Sequence, residues 1–130
     1  MRFVDTSFLI ALTSRRDARH DDAVALWRKD NSAVVTSNHV LGETWTFARR
    51  RGGHAAALAT VDAFRHSPRA TVMRTEHSVE RDAWEWLSRH DEREYSFVDA
   101  TSFALMRRQR WTEAYAFDGD FNAAGFVEIR

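Results

Sequence analysis

Short β-branched and apolar runs that alternate with longer segments of helical period predict an α/β fold around a parallel sheet. Two further observations agree with this class. The chain has 130 residues, 44% of them hydrophobic and 12% aromatic, which suffices for one sizeable core and is short for two. It contains no repeat, no low-complexity tract and no Pro/Gly/Ser-rich linker, so residues 1–130 read as a single domain.

The first candidate strand is Arg2 to Asp5, and a helix is expected to start after Asp5. A second helix covers about Asp21 to Lys29, where Val24, Trp27 and neighbouring alanines form an apolar stripe. The strand Ala33 to Thr36 leads into a third helix from about Asn38 to Arg50. Gly52-Gly53 separates it from a fourth helix, about His54 to Arg65, which stops before Pro68, the only proline. After the strand Thr71 to Arg74, a fifth helix carries Val79, Ala83, Trp86 and Leu87 at helical spacing. The sixth spans about Val98 to Arg108, and the strands Ala114 to Phe117 and Phe126 to Ile129 complete the pattern. The expected architecture is a central, mostly parallel sheet of about five short strands flanked by helices.

Composition narrows the function. There is no cysteine, which removes disulfides and thiolate metal sites from consideration. Met1 to Val4 run directly into an apolar segment with no charged leader, no long apolar stretch and no cleavage site, so a cytoplasmic protein without a membrane span is expected. The formal net charge of zero argues against gripping nucleic acid through overall charge, and leaves only local contacts. Lys29 is the only lysine, and arginines cluster at Arg15-Arg16, Arg49-Arg50-Arg51 and Arg107-Arg108 with Arg110. These clusters suit a phosphate-binding rim, because guanidinium groups make forked contacts to phosphate, and they equally suit solvated helix ends.

Four acids stand out by position. In an open parallel sheet, ligands bind beyond the carboxyl ends of the strands. Asp5 closes the first candidate strand and Asp118 the fourth. Glu43 sits among Val40, Leu41, Trp45 and Phe47, and Asp99 among Phe97, Val98, Phe103 and Ala104, both within otherwise apolar helical segments. A carboxylate there is costly unless compensated. Each also has a structural explanation. Asp5 can cap the first helix, with Thr6-Ser7 in the turn; Ser96 and Asp99 have capping-box spacing; Glu43 can pair with His39; and Asp118-Gly119-Asp120 reads as a turn. Together they make one crevice lined by acids. Clustered carboxylates raise one another's pKa, and hard divalent cations such as Mg²⁺ or Mn²⁺ relieve the conflict with oxygen-only ligands. The implied chemistry is phosphodiester hydrolysis.

Other chemistries find less support. The six histidines lie in different segments and none forms an HExxH pair. No glycine-rich phosphate cradle is present, and mid-helix Gly42 is expected to mark a close packing contact. No serine or threonine has an evident partner base.

The pieces VDTSFLIAL from Val4, TSNHVLGETWT from Thr36, YSFVDATSFALM from Tyr95 and AFDGDFNAAGF from Ala116 resemble the PIN-domain family, and within it the VapC toxins of bacterial toxin–antitoxin pairs. The likeness covers essentially the whole chain. It implies a PIN-like three-layer α/β fold and a metal-dependent endoribonuclease using Mg²⁺ or Mn²⁺. Position by position, Asp5, Glu43, Asp99 and Asp118 match the family's acidic quartet, Thr6 matches its hydroxyl beside the first acid, and Asp120 matches a further acidic position ranked second. The resemblance also implies structured RNA such as tRNA or rRNA as substrate, a VapB-like antitoxin as partner, and a homodimer. An aspartate-nucleophile phosphatase would want a second Asp where the chain has Ser7, and a receiver domain would want a late lysine. A PIN-like fold kept only as an interaction module would be expected to have lost an acid of the quartet.

Overall fold

The computed structural model describes residues 1–130. Strands β1 (Arg2–Val4), β2 (Val34–Ser37), β3 (Ala70–Met73), β4 (Glu113–Tyr115) and β5 (Val127–Ile129) form one sheet in the order β3-β2-β1-β4-β5. Every neighbouring pair is parallel, so the expectation of a mostly parallel sheet tightens to an all-parallel one. In the central strand, Phe3 stands opposite Val35 on one side and Ala114 on the other. Phe3 and Val4 are fully buried, as continuous apolar runs in parallel sheets require.

Seven helices surround the sheet: α1 (Thr6–Thr13), α2 (His20–Lys29), α3 (Asn38–Gly52), α4 (His54–Arg65), α5 (His77–Ser88), α6 (Phe97–Gln109) and α7 (Asp120–Ala123). The chain steps from β1 through β2 to β3 in one direction, then crosses back to β4 and on to β5. Right-handed crossovers therefore place α1–α4 on one face and α5–α7 on the other. The reversal occurs between β1 and β4, and the crevice at their carboxyl ends is where such a sheet binds its ligand.

The element boundaries move where side chains take over from backbone pairing. β1 ends at Val4, and Asp5 becomes the N-cap of α1 instead of the last strand residue. β4 ends at Tyr115, so Asp118 lies three residues beyond the strand rather than closing it. The short α7 has no counterpart among the expected helices; Gly119, with φ 84°, turns the chain into it. Gly42 has no atom within 4 Å of where a Cβ would sit and faces open space, contrary to the expected close packing. A Cβ on Gly52 would instead lie 2.7 Å from the Ala56 Cβ, and Gly53 has φ 89°, so the two glycines together permit the tight α3–α4 turn.

The main core is aromatic. Phe8 packs with ring centroids 4.8 Å from Tyr115 and 5.5 Å from Phe117, and Phe103 meets Phe121 edge-on at 5.0 Å. Phe3, Phe8, Phe103 and Phe121 are all fully buried. Each contributes about 1.5–3 kcal/mol by burial alone, which anchors α1, α6 and α7 to the sheet.

Candidate active site

Asp5 is held by the turn it initiates. Its Oδ2 accepts the Ser7 backbone N–H at 3.1 Å and the Ser7 hydroxyl at 2.7 Å. The same Ser7 oxygen accepts the Phe117 N–H at 3.0 Å, and the Asp5 N–H donates to the Tyr115 carbonyl at 3.0 Å. One hydroxyl thus ties the residue after β1 to the segment after β4. That segment carries Asp118.

Asp99 sits in the first turn of α6 within a complete capping box. Its Oδ2 accepts the Ser96 N–H at 2.9 Å, and its own N–H donates to the Ser96 hydroxyl at 3.0 Å. The capping role and the site role are compatible, because the box occupies Oδ2 and leaves Oδ1 free of protein partners. Asp118 is fixed by the turn that follows: its Oδ1 accepts the Asp120 N–H at 3.1 Å. Beneath that turn, the Glu128 carboxylate accepts the Gly119 N–H at 3.2 Å and the Asn122 N–H at 3.1 Å, while its side chain is fully buried.

One carboxylate oxygen from each of Asp5, Asp99 and Asp118 lies within 4.8 Å of the others. Asp5 and Asp99 are buried, and Asp118 is the open member. Glu43 lies outside this triad but lines the same cavity of about 410 Å³, together with Thr6 and Ser7. The Thr6 hydroxyl shares this cavity with the Glu43 carboxyl and donates to the Val40 carbonyl at 3.5 Å. His39 pairs with Glu80 at 3.3 Å, not with Glu43. Asp120 does not line the cavity; its Oδ1 accepts from the Arg93 guanidinium at 2.9 Å.

Crowding and burial act on Asp5, Glu43, Asp99 and Asp118. Burial, then the charge of Asp118, pushes Asp5 well above the usual carboxylate range, against the two hydrogen bonds from Ser7. Burial raises Asp99 to about 6, assisted by Asp120 and Asp118 and opposed by the Ser96 N–H. Partial desolvation in the cavity also raises Asp118, its relative openness notwithstanding, while the Asp120 N–H and a hydrogen bond from Asp5 draw it back. Glu43 rises by burial, with the Thr6 hydroxyl opposing. The set is therefore strained toward protonation as it stands. Three oxygen donors of this kind fit a hard divalent cation, whose charge restores the ionised forms.

Several lining groups carry no distinguishing mark in the sequence. Ser7, Arg19, Phe47 and Phe117 all line the cavity, and the Arg19 guanidinium stacks 4.2 Å over the Phe117 ring. Glu128 has one legible signal, an acid between Val127 and Ile129 in a terminal apolar strand.

A parallel sheet in this strand order, with acids gathered at the point where the order reverses, defines a class: the chain belongs to the PIN domain family, whose profile matches residues 2–127. It is 62% identical over 133 aligned positions to the 23S rRNA-specific endonuclease VapC20 of two strains of Mycobacterium tuberculosis, covering 100% of this chain and 98% of the relative. A crystal structure of Mycobacterium tuberculosis VapC20, described as a toxin cleaving the sarcin-ricin loop, matches with a TM-score of 0.95 at 58% identity. That match covers 100% of this chain and 99% of the other.

Proposed function

We propose that this chain, acting as a single PIN domain over residues 1–130, is a Mg²⁺- or Mn²⁺-dependent endoribonuclease. It serves as the toxin of a VapBC-type pair, and its substrate is the sarcin-ricin loop of 23S rRNA. The observation that carries the reading is the convergence of Asp5, Asp99 and Asp118, from three separate segments of the chain, to within 4.8 Å. The full-length likeness to an endonuclease of that name supports the target.

In this reading Asp5, Asp99 and Asp118 hold the cation. Bound there, it would polarise a phosphate oxygen and lower the pKa of water. Ser7 orients Asp5, the capping box orients Asp99, and Glu128 fixes the turn that presents Asp118. Glu43, outside the triad and facing the same space, takes the proton from the attacking water, and the Thr6 hydroxyl beside it favours its ionised form. Asp120 acts one step away, by neutralising Arg93 and shaping the Asp118 turn. As the family likeness implies, the protein works in the cytoplasm as a homodimer and is held inactive by a VapB-like antitoxin. No helix is long and apolar enough to cross a membrane.

Ribosomes incubated with the protein in MgCl₂ or MnCl₂, then probed by primer extension, test the proposal. A single new end in the sarcin-ricin loop, abolished by chelator, is expected. Cleavage that survives excess chelator refutes the metal mechanism, and cleavage confined to other RNAs refutes the target.

A further inference from the structure

A second cavity, of about 910 Å³, lies between the loop after α1 and the α3–α4 turn. Arg15 and Arg16 line it from the loop and Arg51 from the end of α3, over a floor that includes Gly52, Ala56 and Ala59. It adjoins the cavity of the acidic centre, because Ile10, Asp17 and Arg51 line both. Asp17 approaches Arg51 only to 4.0 Å, and the side chains of Arg15 and Arg16 form no ion pair. Arg49 and Arg50, neighbours in the same arginine run, line neither cavity.

These features have one electrostatic consequence. The acidic centre repels a phosphate chain, and the protein has no net positive charge to draw one in. An approach flanked by the unpaired guanidinium groups of Arg15 and Arg16, with Arg51 held only loosely by Asp17, offsets that repulsion locally, since Arg makes forked contacts to phosphate oxygens. The floor is mostly glycine and alanine, the Thr13 and Thr60 hydroxyls that also line it are bonded to the Leu9 carbonyl and to each other, and it leaves room for a sugar–phosphate backbone to lie close. We propose that this trough carries the RNA strand flanking the scissile phosphate, gripping its backbone through Arg15, Arg16 and Arg51 without regard to sequence. The proposal rests on the ribonuclease reading for the identity of the strand.

The test is fluorescence anisotropy with a labelled 16-nucleotide oligouridylate, using protein with Asp118→Asn throughout so that the RNA stays intact. Adding Arg15→Glu and Arg16→Glu is expected to weaken binding at least tenfold and to flatten the salt dependence by about 1.4, at about 0.7 for each phosphate of a single strand that is no longer neutralised. The pair Arg49→Glu and Arg50→Glu, an identical change of charge on exposed neighbours, is expected to cost about threefold or less. Arg51→Ala removes a guanidinium from a side chain that is 65% exposed, so folding is not at stake, and it should weaken binding several-fold. Equal losses for the two glutamate pairs, or none for either, overturn the trough, whether or not the same surface receives a protein partner. Cleavage is measured separately with Asp118 restored. Trough-dependent binding without metal-dependent cleavage refutes the nuclease reading and leaves the trough standing.

Discussion

Replacing Asp99 with Asn separates its capping role from the proposed metal role, and the direction of the effect follows from the site's electrostatics. Burial raises the Asp99 carboxyl from 3.8 to about 6 in the folded protein. At about 1.4 kcal/mol per pH unit, ionising it there costs about 3 kcal/mol relative to the unfolded chain. A folded-state pKa above the unfolded one means the native state binds more protons between these limits. The stability contributed by protonated Asp99 is present below about pH 4 and lost as pH rises through about 6. In chelator at pH 7.5, Asp99→Asn should therefore be more stable than the wild type by up to about 3 kcal/mol, on the order of 10 °C in Tm for a chain of this length. The amide oxygen still accepts the Ser96 N–H, so the capping box loses little. Metal narrows the gap: at a hundredfold excess over Kd, Mn²⁺ should stabilise the wild type by about 2.7 kcal/mol and the variant by less. Melting curves in chelator and in MnCl₂, from pH 4.5 to 7.5, read both effects. An Asp99→Asn protein that melts below wild type in chelator at pH 7.5, yet shifts as far in Mn²⁺, would refute the argument and leave Asp99 a helix cap alone.

Three further outcomes follow from the same geometry. Asp118→Asn should reduce RNA cleavage far more than Asp120→Asn, because Asp118 belongs to the triad and Asp120 faces Arg93; equal rates for the two variants would overturn that ranking. Ser7→Ala removes the hydroxyl that joins Asp5 to the Phe117 N–H and should cost about 1–3 kcal/mol in urea unfolding, with cleavage falling as well; unchanged cleavage would show that Asp5 keeps its place without the hydroxyl. Phe103→Ala, at a fully buried ring that meets Phe121 and Trp86, should lose about 3–5 kcal/mol; a loss under about 1 kcal/mol would mean that the surrounding rings collapse into the space.

The acids are legible because each breaks a local pattern. Glu43 and Asp99 interrupt apolar helical faces, Asp5 follows an apolar strand, and Asp118 opens a glycine turn. Local rules cannot rank them. The capping-box spacing at Ser96 and Asp99 marks a true cap, and only the meeting of that carboxylate with those of Asp5 and Asp118 in the fold makes it a candidate ligand as well. The apolar pattern carries the fourth strand up to Asp118, yet the strand stops three residues earlier, because the position of Asp118 is set by side-chain bonds from Glu128 and Arg93 to the surrounding turn. Those bonds join residues 9 to 25 apart and leave no periodic trace.

The order of the strands and longer helices, the parallel pairing and the short list of candidate acids were determined by the sequence itself, since alternation, hydrophobic period and capping chemistry act over a few neighbours. Tertiary structure decided which acids share a centre. Asp5, Asp99 and Asp118 meet because the strand order reverses between β1 and β4, which brings the ends of distant segments together, while Glu43 stays on the wall and Asp120 turns to Arg93. It also divided the arginine run, sending Arg51 into a trough with Arg15 and Arg16 and leaving Arg49 and Arg50 in solvent. Helix rotation and the tight Gly52–Gly53 turn set that division, and both depend on how α3 packs against α4, an arrangement that no local stretch of sequence encodes.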